Sequence, residues 1–129
     1  RLYNCVGNTL MSFVNQGKPA RIKSVYGHNT GTTAEDVYTC PANCTAEITF
    51  IHVVNGGGST NTVEIGWYVA ADNYVSKFLS AKSIGGGDYI SFNQIDLVLQ
   101  PSDKIRVTPT GSGHIDTILT VTETFVPVG

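Results

Sequence analysis

A chain of 129 residues has room for one hydrophobic core and not for two ordinary ones, so a single domain is expected. Eight basic against ten acidic residues leave a formal charge of −2, which excludes the broad positive surface that nucleic-acid binding needs. Charged residues are only 14% of the chain, and abundant glycine with recurrent Thr, Ser and Asn favours strands and turns over helices.

Residues 1–19 carry Leu2, Tyr3, Leu10, Phe13 and Val14 among Asn4, Gly7, Asn8, Asn15, Gly17 and Pro19, a density of breakers that interrupts any helix. The segment reads as an extended N-terminal arm, with 20–129 as the folded domain. Five apolar side chains on such an arm are costly to leave in water. Leu2, Tyr3, Leu10, Phe13 and Val14 are therefore the candidate partner-binding residues, laid on their own domain or on a neighbour.

From Ala20 to Tyr26, Ile22, Ser24 and Tyr26 alternate with Arg21, Lys23 and Val25, the period of a half-buried strand, and a short strand is expected at Asp36–Cys40 before Pro41. Thr45–Asn55 is apolar on both faces, with Ile48, Phe50 and Val54 on one and Ile51 and Val53 on the other. Such a strand sits centrally or at a subunit contact. Thr62–Ala71 points Val63, Ile65, Trp67 and Val69 one way, making Trp67 a core residue, and Glu64, Gly66 and Tyr68 the other. Asp72-Asn73 then turns the chain into Tyr74–Ser83, where Val75, Leu79 and Ala81 are expected opposite Tyr74, Ser76 and Phe78.

Tyr89–Phe92 leads into the clearest stretch. Ile95, Leu97 and Leu99 alternate with polar residues, Pro101-Ser102-Asp103 turns, and Ile105 and Val107 resume the alternation. Ile115–Phe125 closes the chain with Leu119, Val121 and Phe125 on one face and Thr120, Thr122 and Thr124 on the other. The fold class is all-β: a two-layer antiparallel sandwich of about eight strands, jelly-roll or immunoglobulin-like. Strand order rests on long-range pairing, which turn signals do not reveal.

The chemical signals are sparse. Cys40-Pro-Ala-Asn-Cys44 permits a local disulfide or half of a zinc site, but Cys5, His28, His52 and His114 lack paired ligand spacing, so no metal or other cofactor is expected. Three cysteines leave at least one thiol unpaired within the chain. His28 and His114 both lie in Gly-rich loops and are candidate neighbours. No motif selects a nucleophile or base, and the chain is read as non-enzymatic. Gly56–Gly58 and Gly85–Gly87 lack the Lys and Ser/Thr of a phosphate loop and read as hairpin tips suited to touching a partner. Tyr68, Tyr74 and Tyr89 are the candidate platform for a carbohydrate-binding alternative, and Asn43-Cys-Thr45 matches a glycosylation acceptor. No apolar run reaches the ~18 residues of a membrane helix, and no secretory signal is visible.

Tyr38–Asn55, Leu97–Val107 and Val121–Phe125 together resemble small β-sandwich structural proteins of tailed bacteriophages, in which a Pro-Ala turn precedes a strand ending in Asn and a Leu-x-Pro-Gly-Asp-x-Ile turn comes late. Ser102 stands where those proteins have Gly, and residues 1–37 lie outside the likeness. The resemblance implies a virion component assembled in the host cytoplasm. It would be a capsid decoration (cement) protein binding the major capsid protein, or a tail- or fibre-associated protein, acting as a homo-oligomer without direct nucleic-acid or membrane contact. A host glycan is the alternative partner.

Overall fold

The computed structural model describes residues 19–126. They form eight strands: β1 (Ala20–Asn29), β2 (Glu35–Thr39), β3 (Cys44–Asn55), β4 (Asn61–Val69), β5 (Tyr74–Ile84), β6 (Tyr89–Leu99), β7 (Lys104–Pro109) and β8 (Ile115–Phe125). Two four-stranded sheets have the orders β1-β8-β3-β6 and β2-β7-β4-β5, and every paired neighbour is antiparallel.

The pairing is nested. β1 pairs with β8, β2 with β7, β3 with β6 and β4 with β5. The described chain is thus one long hairpin with its tip between β4 and β5, rolled so that successive strand pairs alternate between sheets. That is a jelly roll, which decides between the two topologies the turn pattern left open.

Alternation builds the core between the sheets. Ile48, Ile51, Val53, Leu99, Leu119 and Val121 enter from the first sheet and Val63, Ile65, Ile105 and Val107 from the second, all without solvent exposure. Trp67 packs against this cluster from its margin. Two facing assignments need correction, both because a bulge changes the parity of a strand. The register of β3 shifts between Ile48 and Phe50, so Ile48 turns inward with Ile51 while Phe50 joins Val54 on the outer face. In β5, Ser76 lies opposite inward-facing Trp67, and Val75 lies opposite outward-facing Tyr68. The expected set of Val75, Leu79 and Ala81 on one face is therefore broken, and Ala81 itself takes a φ of 52°.

Buried polar side chains brace both ends of the sandwich. At one end the Asp103 carboxylate accepts hydrogen bonds from Trp67 Nε1 (3.0 Å), Ala70 N (2.9 Å) and Gln100 N (3.0 Å), tying the β4–β5 turn to the β6–β7 turn. At the other, Asn29, Asn55 and Asn61 hold the loops. Asn55 Nδ2 donates to Ser59 O (2.7 Å) and Ile84 O (2.9 Å), and its Oδ1 accepts from Gly57 N (3.0 Å). The two triple-glycine loops are bound to each other rather than free. Asn55 N donates to Asp88 O at 2.9 Å, and a Cβ on Gly86 would stand 2.7 Å from the Gly58 backbone, a separation only glycine permits.

Candidate assembly surfaces

Each sheet has one face in the core and one in solvent, and the two outer faces differ in chemistry. Register lines up rows across the β1-β8-β3-β6 sheet: Tyr26, Ile118, His52 and Ser91 form one, and Ser24, Thr120, Phe50 and Asn93 the next. Flanking rows add Ile22, Val54, Tyr89 and Val98. Ile22, Tyr26, Tyr89, Val98 and Ile118 are all exposed large apolar side chains, and Tyr26 reaches 81%. Thr45, Thr120, Thr122 and Thr124 fill the spaces between them. His52 is flanked by the Phe50 ring at 6.0 Å and the Tyr89 ring at 5.0 Å. No described Lys or Arg projects from this face. At its rim His28 Nδ1 pairs with Asp116, and the His28 and His114 rings stack 5.7 Å apart, so the expected neighbourhood of the two histidines holds.

The opposite face is charged and satisfies itself. Asp36 on β2 pairs with Arg106 Nε (2.7 Å) and Lys104 Nζ (3.4 Å) on β7, and Glu64 on β4 with Lys77 on β5 (3.3 Å). Burial alone would raise the Asp36 carboxyl, but its hydrogen bonds to Arg106 and Lys104 outweigh that and hold it below its ordinary value. Arg106 and Lys104 also lie over the Tyr68 ring at 4.9 and 5.5 Å, and Tyr68 donates its hydroxyl to Asn73 (2.7 Å). Tyr68 is thereby engaged within its own sheet. Tyr89 belongs to the other sheet, so the three candidate sugar-stacking tyrosines do not share a face.

Where β1 approaches β2, a carboxylate closes the seam. Glu123 of β8 is fully buried and receives Arg21 Nη2 (2.6 Å), Lys23 Nζ (3.2 Å) and the Tyr38 hydroxyl (2.5 Å). Burial opposes its ionisation, yet the hydrogen bonds from Tyr38, Arg21 and Lys23 prevail and bring its pKa down to about 2. Gly27 makes the approach possible, since a Cβ there would sit 2.9 Å from both Glu35 and Val37. On the far side β5 and β6 diverge around an apolar groove of about 320 Å³ lined by Trp67, Ser76, Phe78, Phe92, Ile95, Asp96 and Leu97.

Cys40 and Cys44 are buried free thiols; burial first, and then the neighbouring Cys44, push the Cys40 thiol up to about 11. Among the described residues no group of three or more His, Cys, Asp or Glu side chains is placed to hold a metal ion, and no helix is long and apolar enough to cross a membrane. Leu2, Tyr3, Leu10, Phe13 and Val14 lie outside the described residues. The outer sheet face was only partly legible in the sequence. The two-sided apolar pattern of β3 signalled it, whereas the contribution of β1 depended on knowing which of its faces turns inward.

No protein-family model matches the sequence, and no curated protein matches it either. Solved structures do share the fold. A chain of the disulfide-linked pili of Bacillus endospore appendages superposes with a TM-score of 0.54 at 14% identity, covering 93% of this chain and all of that one. A chain of the acid-stable capsid of Helicobacter pylori bacteriophage KHP30 gives 0.54 at 11% identity, covering 88% and 97%. One from the capsid asymmetric unit of cyanophage Pam1 gives 0.50 at 15%, covering 86% and 89%. At these identities the likeness establishes the jelly roll and nothing finer.

Proposed function

We propose that this chain is a non-enzymatic structural protein of a bacteriophage virion, a capsid decoration protein that binds and stabilises a shell of major capsid proteins. The observation that carries the proposal is the unequal pair of faces. One is a charged surface that satisfies itself and suits contact with water. The other is a four-stranded platform of Ile22, Tyr26, Phe50, Ile118, Tyr89 and Val98 without a described cation, the composition of a surface that meets protein.

Support comes also from the neighbours, since two of the three described above come from phage capsids and the third from a pilus. All are repeating assemblies, in which a modest contact is multiplied by copy number. Pilus-like crosslinking through Cys40 or Cys44 is disfavoured by their burial. In the decoration reading the arm residues Leu2, Tyr3, Leu10, Phe13 and Val14 lie across neighbouring shell subunits, gaining about 25 cal/mol per Å² of apolar area less the entropy of ordering the segment.

Quantitative mass spectrometry of purified particles from the source, against the most abundant shell protein, tests the function. Copies in the range of the shell protein support decoration. About a dozen copies move the chain to the tail or fibre, and none overturns the virion reading. Deleting Arg1–Lys18 is expected to leave a folded sandwich that no longer associates with particles, and full retention of binding would remove the arm from the proposal.

A further inference from the structure

Among the described residues four strands end the two sheets: β1 and β6 in one, β2 and β5 in the other. Three of these edges are blunted. β2 has five residues and a register shift between Asp36 and Tyr38. The register of β5 shifts twice against β4, and its Ala81 is left-handed at φ 52°. The β3–β6 register shifts near Phe50, and Gln94 of β6 has a φ of 55°. Bulges and left-handed residues twist an edge and break the ladder that a second strand would follow.

β1 carries none of these devices. Its ten residues pair one-to-one with β8 from Ala20 to Asn29, without a shift and without proline. In an antiparallel ladder alternate residues turn their N–H and C=O toward the paired neighbour and away from it. His28 donates its N–H across the seam to Glu35 at 3.2 Å, so the even-numbered residues face outward from the sheet. Ile22, Ser24 and Tyr26 therefore present their backbone donors and acceptors along the edge. Their side chains stand on the apolar outer face, with Ile22 74% exposed. Arg21 and Lys23, the charges that would repel an incoming strand, are drawn onto Glu123.

We infer that β1 pairs antiparallel with β1 of a second copy, about a two-fold axis through Ser24. The strand is self-complementary in that register. Ile22 lies opposite Tyr26 of the second copy, a branched aliphatic against an aromatic, and Ser24 meets its own counterpart. Each of these pairs exchanges both backbone hydrogen bonds. At the intervening positions Lys23 faces Val25 and Arg21 faces Gly27, so no like charges are opposed. Pairing stops at His28, whose N–H is already used by Glu35. The product is one continuous sheet of eight strands whose two apolar faces join into a single platform.

The test uses the full chain carrying Cys5→Ser, which leaves only the buried Cys40 and Cys44. Ser24→Cys is expected to give a disulfide-linked dimer under mild oxidation, because paired Cα atoms in hydrogen-bonded positions lie about 5.5 Å apart, within disulfide reach. Thr120→Cys, one strand inward, is expected to give none. Ser24→Pro removes an N–H that faces away from β8, so the melting transition should persist while the mass measured by analytical ultracentrifugation halves. A chain that is monomeric at every concentration, a folded Ser24→Cys variant that does not crosslink, or a dimer that survives Ser24→Pro in a folded chain each overturns the inference. Should Ser24→Pro fail to fold, the crosslinking pair decides.

Discussion

Ser102 holds a φ of 74°, a left-handed conformation that an L side chain occupies at a cost of roughly 1–2 kcal/mol and glycine occupies freely. The turn it serves is fixed by the neighbouring Asp103, whose carboxylate takes three hydrogen bonds, and by Ser102 N donating to Cys40 O at 2.9 Å. Ser102→Gly removes the steric cost and adds freedom to the unfolded chain. The net expectation is a gain of about 0.5–1 kcal/mol, read as a higher urea midpoint with unchanged slope. The departure from Gly at this position was visible in the sequence, and the conformation explains why Gly is the easier choice. The buried asparagines were not foreseen. Their signal was present as Asn-x-Gly at Asn29-Thr-Gly31 and Asn55-Gly-Gly57, where the side-chain oxygen accepts the N–H two residues on (2.9 and 3.0 Å) and mimics a backbone turn.

The strands themselves were legible because alternation and turn residues are local properties. Ile115–Phe125 coincides with β8, and the expected short strand before Pro41 is β2 within a residue at each end. Bulges were not legible, since an extra residue leaves composition unchanged and shows itself only against the partner strand. Hence the corrected facing of Phe50 and Val75. From Ile95 to Leu99, beyond the irregularity at Gln94, the alternation of β6 holds, with Leu97 and Leu99 both directed inward, but at different depths: Leu99 is fully buried whereas Leu97 lines the open groove between β5 and β6. Leu99→Ala is expected to cost about 2–5 kcal/mol through lost burial and a residual cavity. Leu97→Ala should cost less than half as much, because water already reaches the groove. Equal losses in chemical denaturation would contradict this placement.

At the scale of the whole molecule, strand order could not be read from the sequence. β1 lies beside β8 across about a hundred residues of chain, and nothing local records that neighbour. The same pairing brings Arg21 and Lys23 of β1 and Tyr38 of β2 onto Glu123, a residue whose alternation with Leu119, Val121 and Phe125 already put it on the apolar face but whose partners nothing local records. Its carboxyl is held at about 2 against an ordinary 4.5. A depressed carboxyl stabilises the fold fully above its unfolded value and loses that contribution as pH falls from about 4.5 through 2. Glu123→Gln is therefore expected to lower stability near neutral pH by about 1.5–3 kcal/mol, the worth of hydrogen bonds to a charged group, and to flatten the loss of stability across that acidic interval. Denaturation curves at several pH values check both, and an acid limb as steep as in the parent chain would show that Glu123 is not its source.

The nested pairing of the strands also dictates an order in time. The innermost hairpin, β4 with β5, closes across a short turn, while the outermost partners, β1 and β8, are nearly the first and last segments of the described chain. Loop closure favours the short pairing first, and a topology dominated by distant pairings folds in milliseconds to seconds rather than microseconds. During synthesis β1 emerges long before β8 exists to receive it. The one edge without a blunting device is thus also the strand that waits longest for its own partner, so growing chains made side by side have their best opportunity to meet there.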